Sequence, residues 1–252
     1  ERKTMRVIAR IDVKNEYAIK GIHLEGVRKV GDPNELALKY YIEGIDEIVF
    51  MDAVASLYDR NNLFKIIEKA CAEVFIPVTI GGGIRTLNDI EKALYSGADK
   101  VAINTAAIRN PSFIRSASLK YGSQCIVGSI EAKRQTDGWE AYIDSGREKT
   151  GVDVMEWARE LEQLGAGEIL LTSVDQEGTQ RGFEIHLARE INLAVSIPVI
   201  ISGGMGELMH ISDLANQTRS SALACAASLH YNKISVMEIK RYMQQNHIEV
   251  RI

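Results

Sequence analysis

Two stretches of this chain repeat each other. Val7-Ile8-Ala9-Arg10-Ile11-Asp12-Val13-Lys14 and Ile126-Val127-Gly128-Ser129-Ile130-Glu131-Ala132-Lys133 are short apolar runs, each ending in a carboxylate followed two residues later by a lysine. Each run has the length and character of one parallel strand buried on both faces. The carboxylates Asp12 and Glu131 stand 119 positions apart, close to half of the 252 residues. A second echo has nearly the same offset, 121: Ile76-Pro77-Val78-Thr79-Ile80-Gly81-Gly82-Gly83 against Ile197-Pro198-Val199-Ile200-Ile201-Ser202-Gly203-Gly204. Two copies of one half-unit put Asp12 and Glu131 at equivalent strand ends, facing each other.

Between these anchors, strand-like and helix-like runs alternate. Strands are expected near 6–12, 47–52, 77–81, 100–103, 125–131, 168–172, 198–202 and 221–225. Helices are expected near 33–43, 61–73, 86–96, 111–120, 152–164, 185–192, 207–217 and 235–245. Asp32-Pro33 and Asn110-Pro111 read as helix starts with proline in the first turn. Gly44, Gly97 and Gly165 follow helical runs, where a left-handed residue ends a helix. Eight β-then-α units with right-handed crossovers close into an α/β TIM (β/α)8 barrel, one domain over 1–252 with halves of about 1–122 and 123–252. An open doubly wound sheet is the alternative, but it seldom shows half-chain duplication. There is no linker or composition break to mark a second domain.

Chemistry in such a barrel gathers where strands end and the following loops begin. The residues there are acids, small hydroxyls and glycines, a set that suits a polar, anionic ligand. Ser202-Gly203-Gly204 with Ala226-Ala227-Ser228 reads as one phosphate cradle. Gly81-Gly82-Gly83 with Asn104-Thr105 and Glu177-Gly178-Thr179 reads as another. Thr172 and Asp175 close the sixth strand beside them. Two cradles across one mouth fit a long ligand with a phosphate at each end. Asp12 and Glu131 are then the candidates for general acid and base, against the plainer possibility that each only pairs with Lys14, Lys20, Lys133 or Arg134. Loop 1, from Asn15 to Asp32, is long enough to act as a lid, and Gln135 to Gly151 reads as a hairpin inserted after the fifth strand.

At the opposite end, Arg6, Glu47, Lys100 and Glu168 each open a strand. Pattern alone is satisfied either by a salt-bridge belt closing the barrel floor or by a gated ring over a pore. The five histidines share no ligand spacing, so neither a metal nor a cofactor is expected. Cys71, Cys125 and Cys225 are odd in number and far apart, as in a reduced cytoplasmic protein. A net charge of -4 gives no reason to expect nucleic acid, and no apolar run reaches the length of a membrane span.

Asp12-Val13-Lys14, Gly31-Asp32-Pro33, Gly81-Gly82-Gly83-Ile84, Gly97-Ala98-Asp99-Lys100-Val101, Ile103-Asn104-Thr105-Ala106-Ala107, Gly165-Ala166-Gly167-Glu168 and Ser202-Gly203-Gly204 resemble the cyclase subunit of imidazole glycerol phosphate synthase, of histidine biosynthesis. The likeness runs over nearly the whole chain and is loosest in its last quarter. It implies a lyase that works as a heterodimer with a glutaminase subunit. Ammonia made by that subunit crosses the barrel lumen and adds to a bisphosphorylated formimino-aminoimidazole carboxamide ribonucleotide. The products are imidazole glycerol phosphate and aminoimidazole carboxamide ribotide. The resemblance also turns the floor ring into an ammonia gate of Arg6, Glu47, Lys100 and Glu168. It places Asp99 at the glutaminase-docking face, gives Asp12 an acid/base role and has Lys20 cover the substrate from loop 1.

The departures lie at the mouth. Glu131 and Glu177 each stand where the family has aspartate. Loop 1 reads Gly21-Ile22-His23-Leu24-Glu25-Gly26-Val27-Arg28, without the family's aromatic and Asn-Leu-Arg-Asp run. Gln217-Thr218-Arg219-Ser220-Ser221 replaces the usual Gly-Ala-Asp before the last strand. One methylene shifts a carboxyl by about an ångström, a displacement that can cost on the order of a hundredfold in rate. A kept floor under an altered mouth also fits a paralogue that delivers ammonia for acetamidino modification of a surface-polysaccharide sugar. A non-catalytic scaffold for the glutaminase and a sister sugar-phosphate isomerase are further readings; the gate residues argue against the isomerase, which has no use for ammonia.

Overall fold

A computed structural model of the chain describes residues 4–54 and 60–250. Within them are twelve strands: β1 (Arg6–Lys14), β2 (Tyr17–Ile22), β3 (Glu25–Gly31), β4 (Glu47–Asp52), β5 (Val78–Gly81), β6 (Lys100–Ile103), β7 (Ile126–Gln135), β8 (Gly138–Ile143), β9 (Glu148–Asp153), β10 (Glu168–Ser173), β11 (Val199–Ser202) and β12 (Ala222–Cys225). The helices are α1 (Pro33–Ile42), α2 (Arg60–Glu73), α3 (Leu87–Tyr95), α4 (Thr105–Arg109), α5 (Ser112–Tyr121), α6 (Val154–Leu164), α7 (Ile185–Ala194), α8 (Met209–Gln217), α9 (Ala227–His230) and α10 (Val236–Gln245).

Strands β1, β4, β5, β6, β7, β10, β11 and β12 pair in that order, all parallel, and β12 returns to β1. The eight-stranded barrel expected from the repeat is present, with helices in each crossover. The repeat is structural as well. β1 and β7 each run on into an antiparallel hairpin, β2–β3 and β8–β9, and the short helices α4 and α9 follow β6 and β12 at matching places.

Side chains alternate across each strand. Val7, Ala9, Ile11 and Val13 of β1 join the large core shared with the helices, alongside Ile48 and Phe50 of β4. The other face of the barrel strands looks into the bore. Ile8, Val49, Ala102, Val127, Leu170 and Ile200 belong to a separate buried cluster there, a packed middle layer. Charge occupies both ends of it, Arg6 below and Arg10 and Asp12 above.

Two helix starts are fixed by local chemistry. Asp32 caps α1, its carboxylate accepting from the N–H groups of Asn34 and Glu35 with Pro33 in the first turn. Thr86 and Asp89 form a reciprocal capping box on α3. Gly165 ends α6 in the left-handed conformation, as read from sequence. The α4 and α9 turns were not foreseen, and the segment expected as a loop from Asn15 to Asp32 is an ordered hairpin.

Candidate active site

The C-terminal ends of the barrel strands open into a cavity lined by Asp12, Lys20, Gly83, Asn104, Thr105 and Glu131, with the cations Arg10, Arg109 and Arg147. Asp12 and Glu131 therefore do share one cavity, each 7% exposed. Their surroundings differ. Arg10 Nε donates to Asp12 Oδ1 at 3.0 Å, and Lys20 Nζ lies 3.8 Å from Asp12 Oδ2. Burial pushes the Asp12 carboxyl up, but Arg10 and Lys20 outweigh it and hold the group below its ordinary value. Glu131 has no ion-pair partner among the described residues, and its Oε2 is buried without a hydrogen bond. Burial raises it to about 7, opposed by Arg10 and the Gly146 backbone. Near neutral pH one carboxyl is ionised and the other holds its proton through much of the population.

Lys20 projects from β2 and is 3% exposed. It contacts Glu177 on one side and faces Asp12 on the other, so it belongs to both the central cavity and a smaller pocket beside it. Desolvation lowers its ammonium to about 8, with Asp12 opposing the shift.

That smaller pocket contains Glu177, Gly178, Ser202, Gly203, Gly204 and Ala227. The structure corrects one grouping: Glu177-Gly178 stands with the Ser202-Gly203-Gly204 cradle, not with Gly81-Gly82-Gly83. Sequence could not decide this, because the β10 loop can lean to either side. Gly204 has φ 105, and a Cβ on it would come within 1.9 Å of the Gly182 carbonyl oxygen. Only glycine fits there. Ser228 is wholly buried behind this pocket, its Oγ unpartnered among the described residues. The other cradle, Gly82-Gly83 with Asn104 and Thr105, carries Arg109 and Arg147. Asn104 Nδ2 donates to the Tyr142 carbonyl and Thr105 Oγ1 accepts from the Asp144 N–H, both on the second hairpin. Cradles at β5–β6 and at β11–β12 lie four strands apart in the closed order, so they stand across the mouth from one another.

Thr172 is buried and its hydroxyl accepts from Arg10. Asp175 is exposed and accepts from the Arg134 N–H, outside both pockets. The β2–β3 hairpin is docked on the loop after β10: His23 N–H donates to the Glu177 carbonyl at 2.8 Å, and its Nδ1–H to the Val174 carbonyl at 3.0 Å.

At the other end of the bore, Arg6 pairs with Glu47 at 2.8 Å and with Glu168, while Lys100 lies 3.0 Å from Glu168 and 3.8 Å from Glu47. Two cations and two carboxylates close a ring across β1, β4, β6 and β10. Asp99, beside it, is exposed, and its carboxylate accepts from the Val78 N–H.

Two functional neighbours were missed in the sequence. Arg10 reads as an ordinary strand position, and the signal was the spacing Arg6, Ile8, Arg10, Asp12 along one face of β1. His230 was read only as a histidine without ligand spacing. Its Nε2–H donates to the Arg10 carbonyl at 3.0 Å and its Nδ1 accepts from Tyr40 Oη at 2.6 Å. A carbonyl can only accept, so this geometry sets the tautomer. Burial, with the Lys20 charge nearby, holds His230 down to about 4 and hence neutral.

Comparison with known proteins bears directly on this arrangement. A family model described as histidine biosynthesis protein matches residues 6–235. The chain belongs to the histidine biosynthesis protein family. It is also 58% identical over 205 residues to imidazole glycerol phosphate synthase subunit HisF of Legionella pneumophila, covering 81% of this chain and 97% of that protein. The family match spans every barrel strand, so the ring at the floor and the carboxylates at the mouth both fall inside it. This member of the family is an enzyme-type barrel with its polar site at the strand ends, and among its described residues no helix is long and apolar enough to cross a membrane.

Proposed function

We propose that this histidine biosynthesis protein is the cyclase subunit of an imidazole glycerol phosphate synthase, a lyase that uses ammonia made by a glutaminase partner. The observation that carries this reading is the pair of carboxyls in one cavity, Asp12 beside Arg10 and Lys20 and Glu131 buried with its Oε2 unpartnered among the described residues, between two glycine cradles. The likeness to the Legionella subunit supports it.

The substrate carries a phosphate at each end. One would sit on Gly83, Asn104 and Thr105, helped by Arg109 and Arg147. The other would sit on Gly178, Gly203, Gly204 and Ala227, helped by Lys20. Backbone N–H groups at these glycines can approach an oxyanion closely. The reacting centre then lies between Asp12 and Glu131. Asp12 takes the proton that the attacking nitrogen must lose, and Glu131 supplies one to the departing oxygen or ring nitrogen.

Ammonia would enter from below through the ring of Arg6, Glu47, Lys100 and Glu168. The exposed apolar side chains Ile42, Phe75, Tyr95, Leu119 and Leu193 all lie at the ends of α1, α3, α5 and α7 or just past α2, which places them at this same end. With Asp99 they form a rim suited to a protein partner. The test is complementation: a strain lacking the cyclase subunit should grow without histidine when given this chain. Failure to grow, with ammonia incorporated instead into a nucleotide sugar in the presence of glutaminase and ligase, would favour the acetamidino reading.

A further inference from the structure

Arg10 sits where the bore meets the cavity, and nothing above gives it a task in the chemistry. It is 3% exposed and lines the central cavity. Nε donates to Asp12 at 3.0 Å, and Nη1 donates to Thr172 Oγ1 at 2.7 Å and Ser202 Oγ at 3.3 Å. Nη2 has no hydrogen-bond partner among the described residues. A guanidinium is a rigid planar fork in which Nε–H and one Nη2–H point to the same side. Three contacts fix the plane, so the free Nη2–H is aimed alongside Asp12. Asp12 cannot absorb it in a two-pronged pair, because its other oxygen faces Lys20.

We propose that Arg10 Nη2 donates a hydrogen bond to the substrate oxygen that gains negative charge when ammonia adds to its carbonyl carbon. This rests on the cyclase reading above. In that step a nitrogen–carbon bond forms and the carbonyl π pair moves onto oxygen. Glu131 gives that oxygen a proton while Asp12 takes one from nitrogen, so the carbinolamine is neutral and the proton count balances. A fixed donor aimed at the place where charge develops lowers the barrier more than it strengthens ground-state binding. Thr172, Ser202 and the His230 contact to the Arg10 carbonyl hold the fork in place. The role is thus one of substrate contact, supported by three positioning residues.

The experiment compares the unsubstituted chain with Arg10→Met and Arg10→Lys, using the bisphosphorylated substrate and saturating ammonium salt. It measures kcat, substrate Kd without ammonia, the pH profile and thermal melting. Arg10→Met should lose about 10²- to 10³-fold in kcat with Kd within about threefold. Its pH profile should move to higher pH on both limbs, since Arg10 holds down both Asp12 and Glu131. Arg10→Lys keeps the charge and the fold but not the second planar donor, so it should keep the pH profile and still lose at least about tenfold in kcat. If Arg10→Met does not fold, Arg10→Lys alone decides. A folded variant with kcat within threefold of the parent, or a loss seen equally in Kd, overturns the proposal. An unsubstituted chain that binds the substrate but does not turn it over overturns the cyclase reading, and this inference with it.

Discussion

At the residue scale the proposed reaction depends on two acids whose surroundings push their pKa values apart, Asp12 down and Glu131 up. Glu131 holds its proton up to about 7, so kcat/KM should fall as pH rises through that value. The acid-side limb should lie below the ordinary carboxylate range, because Asp12 is held low by Arg10 and Lys20 against the push of burial. A pH profile of ammonium-driven turnover checks both limbs. The same shift affects stability. The folded state binds the Glu131 proton more tightly than the unfolded chain, so the stability from this group is full below about 4.3 and is lost as pH rises through about 7. Glu131→Gln should therefore melt higher than the parent at pH 8, show little gain near pH 4, and lose roughly 10²- to 10⁴-fold in rate. An unchanged difference in melting temperature between the two pH values would contradict this. Asp12 and Glu131 were legible in sequence because the repeat aligned them. Arg10 was not, because an arginine inside an apolar strand shows its direction only once the alternation from Arg6 to Asp12 is assigned to the bore.

At the element scale, the barrel strands and most helices were legible because their apolar periodicity is long and their caps are explicit. Elements built on weak local signals were not. The first hairpin turns at His23-Leu24, with φ 52 and 65, where a two-residue turn of this kind ordinarily uses Asn-Gly. Side chains with positive φ cost of order 1–3 kcal/mol each unless the surroundings hold them. The two His23 hydrogen bonds to the β10 loop do so, and they fix the strand that carries Lys20. His23→Ala removes the ring bond to Val174 and keeps the backbone bond to Glu177, so it should loosen this hairpin. Limited proteolysis should then cut within 17–31 faster than in the parent, and KM should rise several-fold, while the melting temperature changes little. Equal protection of that segment in both proteins would rule the docking out as functional. The helices α4 and α9 were invisible because four or five residues carry no helical period. The side taken by Glu177-Gly178 depends on the hairpin tip it meets: a Cβ on Gly178 would lie 2.2 Å from the Gly21 carbonyl oxygen.

At the scale of the whole molecule, a sequence-level choice between a floor belt and a gate becomes a question about two faces. The closed ring is seen, and the apolar rim around it was not predicted, because those side chains are scattered along the chain and meet only at one end of the barrel. Tyr95→Asp with Leu119→Asp should weaken glutaminase binding by at least tenfold and leave ammonium-driven turnover near the parent value. Lys100→Met breaks two of the four ring contacts and leaves Glu47 and Glu168 to Arg6 alone. It should lower glutamine-driven turnover relative to ammonium-driven turnover, as seen by comparing the two rates on one preparation. The central claim is that an ionised Asp12 opposite a protonated Glu131 performs the proton transfers on a doubly phosphorylated substrate. Product formation with ammonium salt alone, in the parent and in Asp12→Asn, tests it most directly. The account predicts turnover in the parent and at least a thousandfold loss in Asp12→Asn with substrate binding retained; an inactive parent, or an Asp12→Asn protein that still cyclises, would contradict it.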